Sequence, residues 1–158
     1  MKMRLPHAFL IMFVFILGSC SEESLDDANI LEAKNDIEVE NKLLDIVNDH
    51  RLSLGYTSLE SSTLAYKYAN EHNDYMIATG NLSHDGFSSR ASSIAAEVNA
   101  EMVAENVAKD YTTANEAFEN WLASSDHKKT MEGDFTHTAV SVKKDSEGNL
   151  YFTQLFYR

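Results

Sequence analysis

Cys20 is the only cysteine among 158 residues, and it follows directly on two small residues, Gly18 and Ser19. A lone thiol cannot close an intramolecular disulfide, so it is either a stray group or a nucleophile that takes a modification. The other reactive side chains are imidazoles and carboxylates, six histidines and 25 acids. No His-Glu-x-x-His pair places two imidazoles one helical turn apart, no serine occupies a Gly-x-Ser-x-Gly turn, and no glycine-rich loop leads into a helix. Most common enzyme classes lose support by those absences.

The segment that carries Cys20 explains what the thiol is for. Lys2 and Arg4 precede an unbroken apolar run from Ala8 to Leu17. Ten residues are too few to cross a bilayer, which takes about 20, so the pattern is that of a secretory signal. Leu17-Gly18-Ser19-Cys20 resembles the bacterial lipobox, which implies removal of residues 1–19 and acylation of Cys20, with palmitate-type chains, as the new N-terminus. The alternative is an ordinary signal peptide cut nearby. Each acyl CH₂ buried contributes about 0.8 kcal/mol, so lipid on Cys20 would anchor the protein to a membrane without spanning it.

Loss of residues 1–19 removes Lys2 and Arg4 and no acid, leaving 11 cations against 25 acids and a formal charge of −14. Such a surface repels phosphate backbones, so nucleic acid is excluded as a partner. Residues 20–38 are dense in carboxylates and poor in large apolar groups, which reads as a flexible acidic tether. The run Glu22, Glu23, Asp26, Asp27 is also similar to the signal that directs lipoproteins of some Bacteroidetes to the outer cell surface. That similarity implies an outer-membrane protein displayed outside the cell, and the alternative is a solvated spacer.

The elements that would position any site begin near residue 39. Leu43, Val47, His50 and Leu54 recur at helical spacing up to Gly55. A second helix is expected over 61–79, with Ala65, Ala69, His72 and Met76 on one side and Gly80 as its stop. His72 reads there as a packing histidine. A third is expected over 114–124, opened by a Thr113-x-x-Glu116 capping box and carrying Trp121 as a core anchor. Residues 136–144 and 150–157 are β-branched and aromatic around the turn sequence 145–149, so they form an antiparallel hairpin, which a strand near 102–108 could join. Helices first and a hairpin last argue for an α+β layered domain over 39–158.

Several short elements then carry a family resemblance: Asn48-Asp49-His50-Arg51, Ser83-His84-Asp85-Gly86-Phe87 with Arg90, Ala104-Glu105-Asn106-Val107-Ala108, Trp121 to His127, Phe135-Thr136-His137 and Tyr151 to Phe156. None is specific alone, but in this order over residues 40–158 they resemble a bacterial CAP domain, of the superfamily of cysteine-rich secretory proteins, antigen 5 and pathogenesis-related proteins. The resemblance implies an α-β-α sandwich, a three-stranded antiparallel sheet covered by helices on both faces, with a shallow groove. Carried over by position, His84, Glu105 and His127 are the groove's two histidines and one of its acids. Ser124 stands where eukaryotic members have the second acid, and Asn106 and His137 are further candidates for the groove lining.

Two imidazoles and a carboxylate can fill three places of a tetrahedral zinc site and leave the fourth to water. They can equally hydrogen-bond to one another and hold the loops. Three functions stay open: a binding module for a small molecule, lipid, glycan or protein; a zinc-dependent hydrolase or protease with Glu105 as third ligand or general base; and a structural or adhesive surface protein.

Overall fold

The computed structural model describes residues 33–158. The signal segment, Cys20 and most of the acidic tether lie outside the described residues.

Helix α1 (Ile37–Ser53) starts where Asp36 accepts a hydrogen bond from the Val39 amide, has Glu38 and Glu40 in its first turn and His50 and Arg51 in its last, as the helix dipole favours. It ends before Gly55, whose φ of +84° suits a residue without Cβ. The two-residue strand β1 (Glu60–Ser61) leads into α2 (Thr63–Thr79), capped by the Ser62 hydroxyl and stopped at a left-handed Gly80. Then follow α3 (Phe87–Val98), strand β2 (Val103–Lys109), α4 (Ala114–Ala123), α5 (Ser125–Met131), and the hairpin β3 (His137–Lys144) and β4 (Leu150–Tyr157). The capping box at Thr113 forms with one change. Its hydroxyl accepts from the Glu116 amide, but the Glu116 carboxylate reaches back to the Thr112 amide.

The sheet order is β1-β3-β4-β2, antiparallel except that β1 runs parallel to β3. The expected three strands are therefore four. Glu60 and Ser61 pair with His137 and Thr138 and extend the sheet beyond the hairpin, too briefly for residue alternation to mark them. One face packs Val140, Val142, Phe152 and Phe156 against Leu43, Val47, Ala117 and Trp121 of α1 and α4. The other packs Ala139, Leu155 and Tyr157 against Ala65 and Ala69 of α2 and Ile94 of α3. Helices on both faces of an antiparallel sheet make the α-β-α sandwich of an α+β domain.

The domain begins earlier than residue 39. Asn35 bridges Lys143, the Asp36 amide donates to the Val142 carbonyl at 2.8 Å, and the Asp36 carboxylate meets Lys144 at 2.8 Å and is held below the usual carboxylate range chiefly by that bond. Within residues 35–38, acidic enough to read as tether, Asn35 forms a bridge, Asp36 a cap, and Ile37 and Glu38 open α1. Glu40 completes the tie between layers, accepting from Asn35 at 2.6 Å, Tyr66 at 2.9 Å and the Val142 amide at 2.9 Å.

A second buried charge closes the other end of α1. Arg51 is 2 % exposed and donates to four carbonyls, Thr57 at 3.0 Å, Met131 at 2.7 Å, Gly133 at 2.8 Å and Phe135 at 3.4 Å, with Tyr56 stacked 5.6 Å from the guanidinium. Among the described residues it makes no ion pair. Burial lowers its pKa, and carbonyl oxygens alone neutralise the cation's demand for hydrogen bonds. Because Met131 ends α5, this side chain ties the end of α5 to the end of α1. Arg51→Met should lower unfolding free energy by about 3 kcal/mol, since it strands several buried carbonyls. Urea denaturation checks this, and a loss within experimental error would remove Arg51 from that role.

Candidate functional site

The site is built on β2, the strand at one edge of the sheet. Pairing of β2 with β4 sets Glu105 opposite Leu155, so its side chain points to the α2 and α3 face. The carboxylate is 1 % exposed, and a charge buried that far must be paired. Arg90 of α3 supplies a bidentate clamp, Nε to Oε2 at 3.0 Å and Nη2 to Oε1 and Oε2 at 2.9 and 2.8 Å, while its Nη1 donates to the Asp85 carbonyl at 2.7 Å. His84 adds Nδ1 at 2.9 Å from Oε1.

An ionised carboxylate only accepts hydrogen bonds, so Nδ1 of His84 carries a proton, and in the neutral ring Nε2 is the acceptor. The His84 side chain is 51 % exposed, which turns that acceptor toward solvent. Behind it lies His72, fully buried. Its Nε2 sits 2.7 Å from the Ser83 carbonyl and 3.8 Å from Glu105, and its Nδ1 has no partner among the described residues. The main chain before His84 and the ring of His84 are thus fixed from two sides.

Asn106, the next residue, points to the opposite face and is also fully buried. Its side-chain amide donates to the His127 carbonyl at 3.1 Å, and the Trp121 indole donates to the Val107 carbonyl at 3.1 Å. The Trp121 ring lies 6.5 Å from the His127 ring. Consecutive residues of one strand therefore hold the two histidine-bearing segments, Glu105 the loop of His84 and Asn106 the helix of His127. The rings are near enough for a charge on His84 to disfavour one on His127.

The family model for CAP, the cysteine-rich secretory protein family, matches residues 44–156. The chain belongs to the CAP family. A curated relative, an uncharacterized membrane protein, YlbC, of Bacillus subtilis strain 168, is 29% identical over 125 residues, covering 75% of this chain and 34% of its own length. The chain thus spans about a third of that relative. Among solved structures, an outer surface protein of Borrelia burgdorferi shares the fold with a TM-score of 0.71 and 19% identity, over 80% of this chain and 96% of that one. An extracellular SCP-domain protein of Bacillus anthracis has a TM-score of 0.66 at 22% identity, over 77% of this chain and 41% of its own.

Set against the zinc site that CAP membership suggests, the donor atoms do not fit. Among the described residues no group of three or more His, Cys, Asp or Glu side chains is arranged to hold a metal. His84 and Glu105 meet, but both oxygens of Glu105 are engaged by Arg90 and His84, and a divalent ion at that carboxylate would press against the guanidinium. Of the expected set His84, Glu105 and His127, the first two meet, joined by His72 and Arg90, and His127 lies on the neighbouring α5. Ser124 marks the break between α4 and α5 through backbone bonds to Asn120 and Trp121. His137 does not join. It lies two strands away on β3, stacked on Tyr157 at 4.7 Å and 3.7 Å from Glu60.

Arg90 is the residue that sequence reasoning passed over. It is the single Lys or Arg between Lys67 and Lys109, so any buried acid of that stretch has one cation within it to meet. A hollow of about 340 Å³ lined by His72, Tyr75, Asp85 and Arg90 adjoins the cluster. A larger open depression of about 820 Å³ lies beside α5, lined by Tyr56, Met102, Lys128 and Phe135, and none of the clustered side chains lines it.

Burial pushes His72 below the ordinary histidine range, against Glu105, which raises it. Burial lowers His127 too, and His84 adds to that. Both therefore protonate more readily in the unfolded chain, whose histidines titrate near about 6.5. The stability gained from burying them neutral is complete above that value and is lost as pH falls below it toward the lowered folded values. Thermal melts between about pH 7.5 and 5 should show a falling midpoint, with a shallower slope in His72→Gln. Parallel slopes in the two proteins would rule out His72 as the source.

Proposed function

We propose that this CAP-domain chain is a lipid-anchored, extracytoplasmic binding module, held at the outer membrane through Cys20 and presenting the His84 groove to a ligand. The lipobox-like Leu17-Gly18-Ser19-Cys20 and the acidic run after it support the anchor. So do the relatives, a membrane protein, an outer surface protein and an extracellular protein. Among the described residues no helix is long and apolar enough to cross a membrane, which suits attachment by lipid.

Binding rather than turnover rests on one observation, that Glu105 is fully engaged by Arg90 and His84. A carboxylate so held has no oxygen free to take a proton from water or to grip an ion, the two roles a zinc hydrolase would ask of it. What the groove offers outward is Nε2 of His84, on the exposed side of the ring, with a second imidazole, His127, on α5. The formal charge of −14 beyond residue 19 favours neutral or cationic ligands, whether small molecule, lipid, glycan or protein, over anionic ones.

Two experiments test the reading. Cys20→Ser should move the protein from the membrane fraction to the soluble fraction, and retention on the membrane would sink the anchor. Native mass spectrometry of protein isolated from its own host should show an adduct that His84→Ala loses. Metal-dependent turnover abolished by Glu105→Gln would instead establish the hydrolase.

A further inference from the structure

We propose that Arg90 is a built-in cation that occupies the metal position of this groove, so that His84 is oriented without any ion. The proposal deepens the binding reading above, since it states what the groove can and cannot take.

Glu105 holds its ionised form at 1 % exposure only because a positive group lies against it, and that group is Arg90, itself 12 % exposed. Three of its hydrogen bonds go to the carboxylate and a fourth, to the Asp85 carbonyl, fixes the guanidinium plane. A planar fork on a carboxylate is geometrically specific in a way a lysine would not be. The neighbouring donors are engaged as well. His84 Nδ1 faces Glu105, and His72 Nε2 faces the Ser83 carbonyl. A divalent cation entering at Glu105 would have to displace a tethered guanidinium, and at His84 Nδ1 or His72 Nε2 it would have to replace an existing hydrogen bond.

Arg90 acts on the groove through Glu105, so it is a positioning residue for His84. The chain that matters runs from guanidinium to carboxylate to Nδ1, and it leaves Nε2 of His84 as the lone open imidazole acceptor of the cluster. The same chain explains how α3 is seated. Only Ile94 of that helix is buried, and the Arg90 clamp adds a second fixed point one turn nearer its start.

The test uses the purified folded domain and Zn²⁺ or Co²⁺ alone as probe, so it does not depend on knowing the natural ligand. Wild type should bind no stoichiometric Zn²⁺ by calorimetry at micromolar supply. Arg90→Gln, which keeps length and loses charge, should bind at least about tenfold tighter. With Co²⁺ that variant should show the visible absorption of a nitrogen- and oxygen-ligated ion, absent from wild type and abolished by adding His84→Ala. Arg90→Ala serves as a second variant, with circular dichroism to report folding. One equivalent of zinc on wild type, lost in Glu105→Gln, overturns the proposal whether or not the Arg90 variants fold. So does a folded Arg90 variant that binds no tighter than wild type. Failure of the binding reading would appear separately, as a missing adduct in protein from the host.

Discussion

A carboxylate cannot be taken out of water alone, and the candidate site of this protein is arranged around that constraint. Glu105 sits on the edge strand β2 with its side chain turned into the layer between sheet and helices. Its charge draws a guanidinium from α3 and an imidazole from the preceding loop, and those two groups carry the segment 84–90 with them. Without Glu105, α3 would keep little more than Ile94 and a few flanking apolar contacts to hold it on the sheet.

The alternation of a β-strand then does the rest. Neighbouring residues point to opposite faces, so Glu105 secures the His84 loop on one side while Asn106 secures α5 on the other. The two histidine-bearing segments are held from the same strand because one strand serves both layers. Arg51 reinforces the second arm from below, since its bonds to the Met131 and Gly133 carbonyls tie the end of α5 to the end of α1. Residues far apart along the chain converge by backbone geometry, and the charge pairing at the site centres on Glu105.

Much of the fold was legible in the residues because its main elements bury a regular stripe. The helices over 37–53, 63–79 and 114–123 each show apolar side chains at helical spacing between recognisable caps, and the hairpin shows alternation on either side of a turn sequence. Helices α3 and α5 did not announce themselves, since each buries a single residue, Ile94 or Met131, and periodicity needs more than one. Strand β1 is two residues long and exposed. At the site, His84, Glu105 and His127 came from a resemblance, whereas the Arg90 clamp is a pairing across fifteen residues that no local pattern encodes. His137 reads as a groove candidate until the register places it on the far side of the hairpin, paired with Tyr157.

The bridge at Asn35 and Asp36 carries one more implication. It enters the fold against Lys143 and Val142 of β3, on the flank of the sheet away from β2 and four residues along the strands from the level of Glu105. Three strand spacings and four residues separate mooring and mouth by about 20 Å. A tether that met the domain at Asn35 would join it at the end of the sheet remote from the Glu105 cluster.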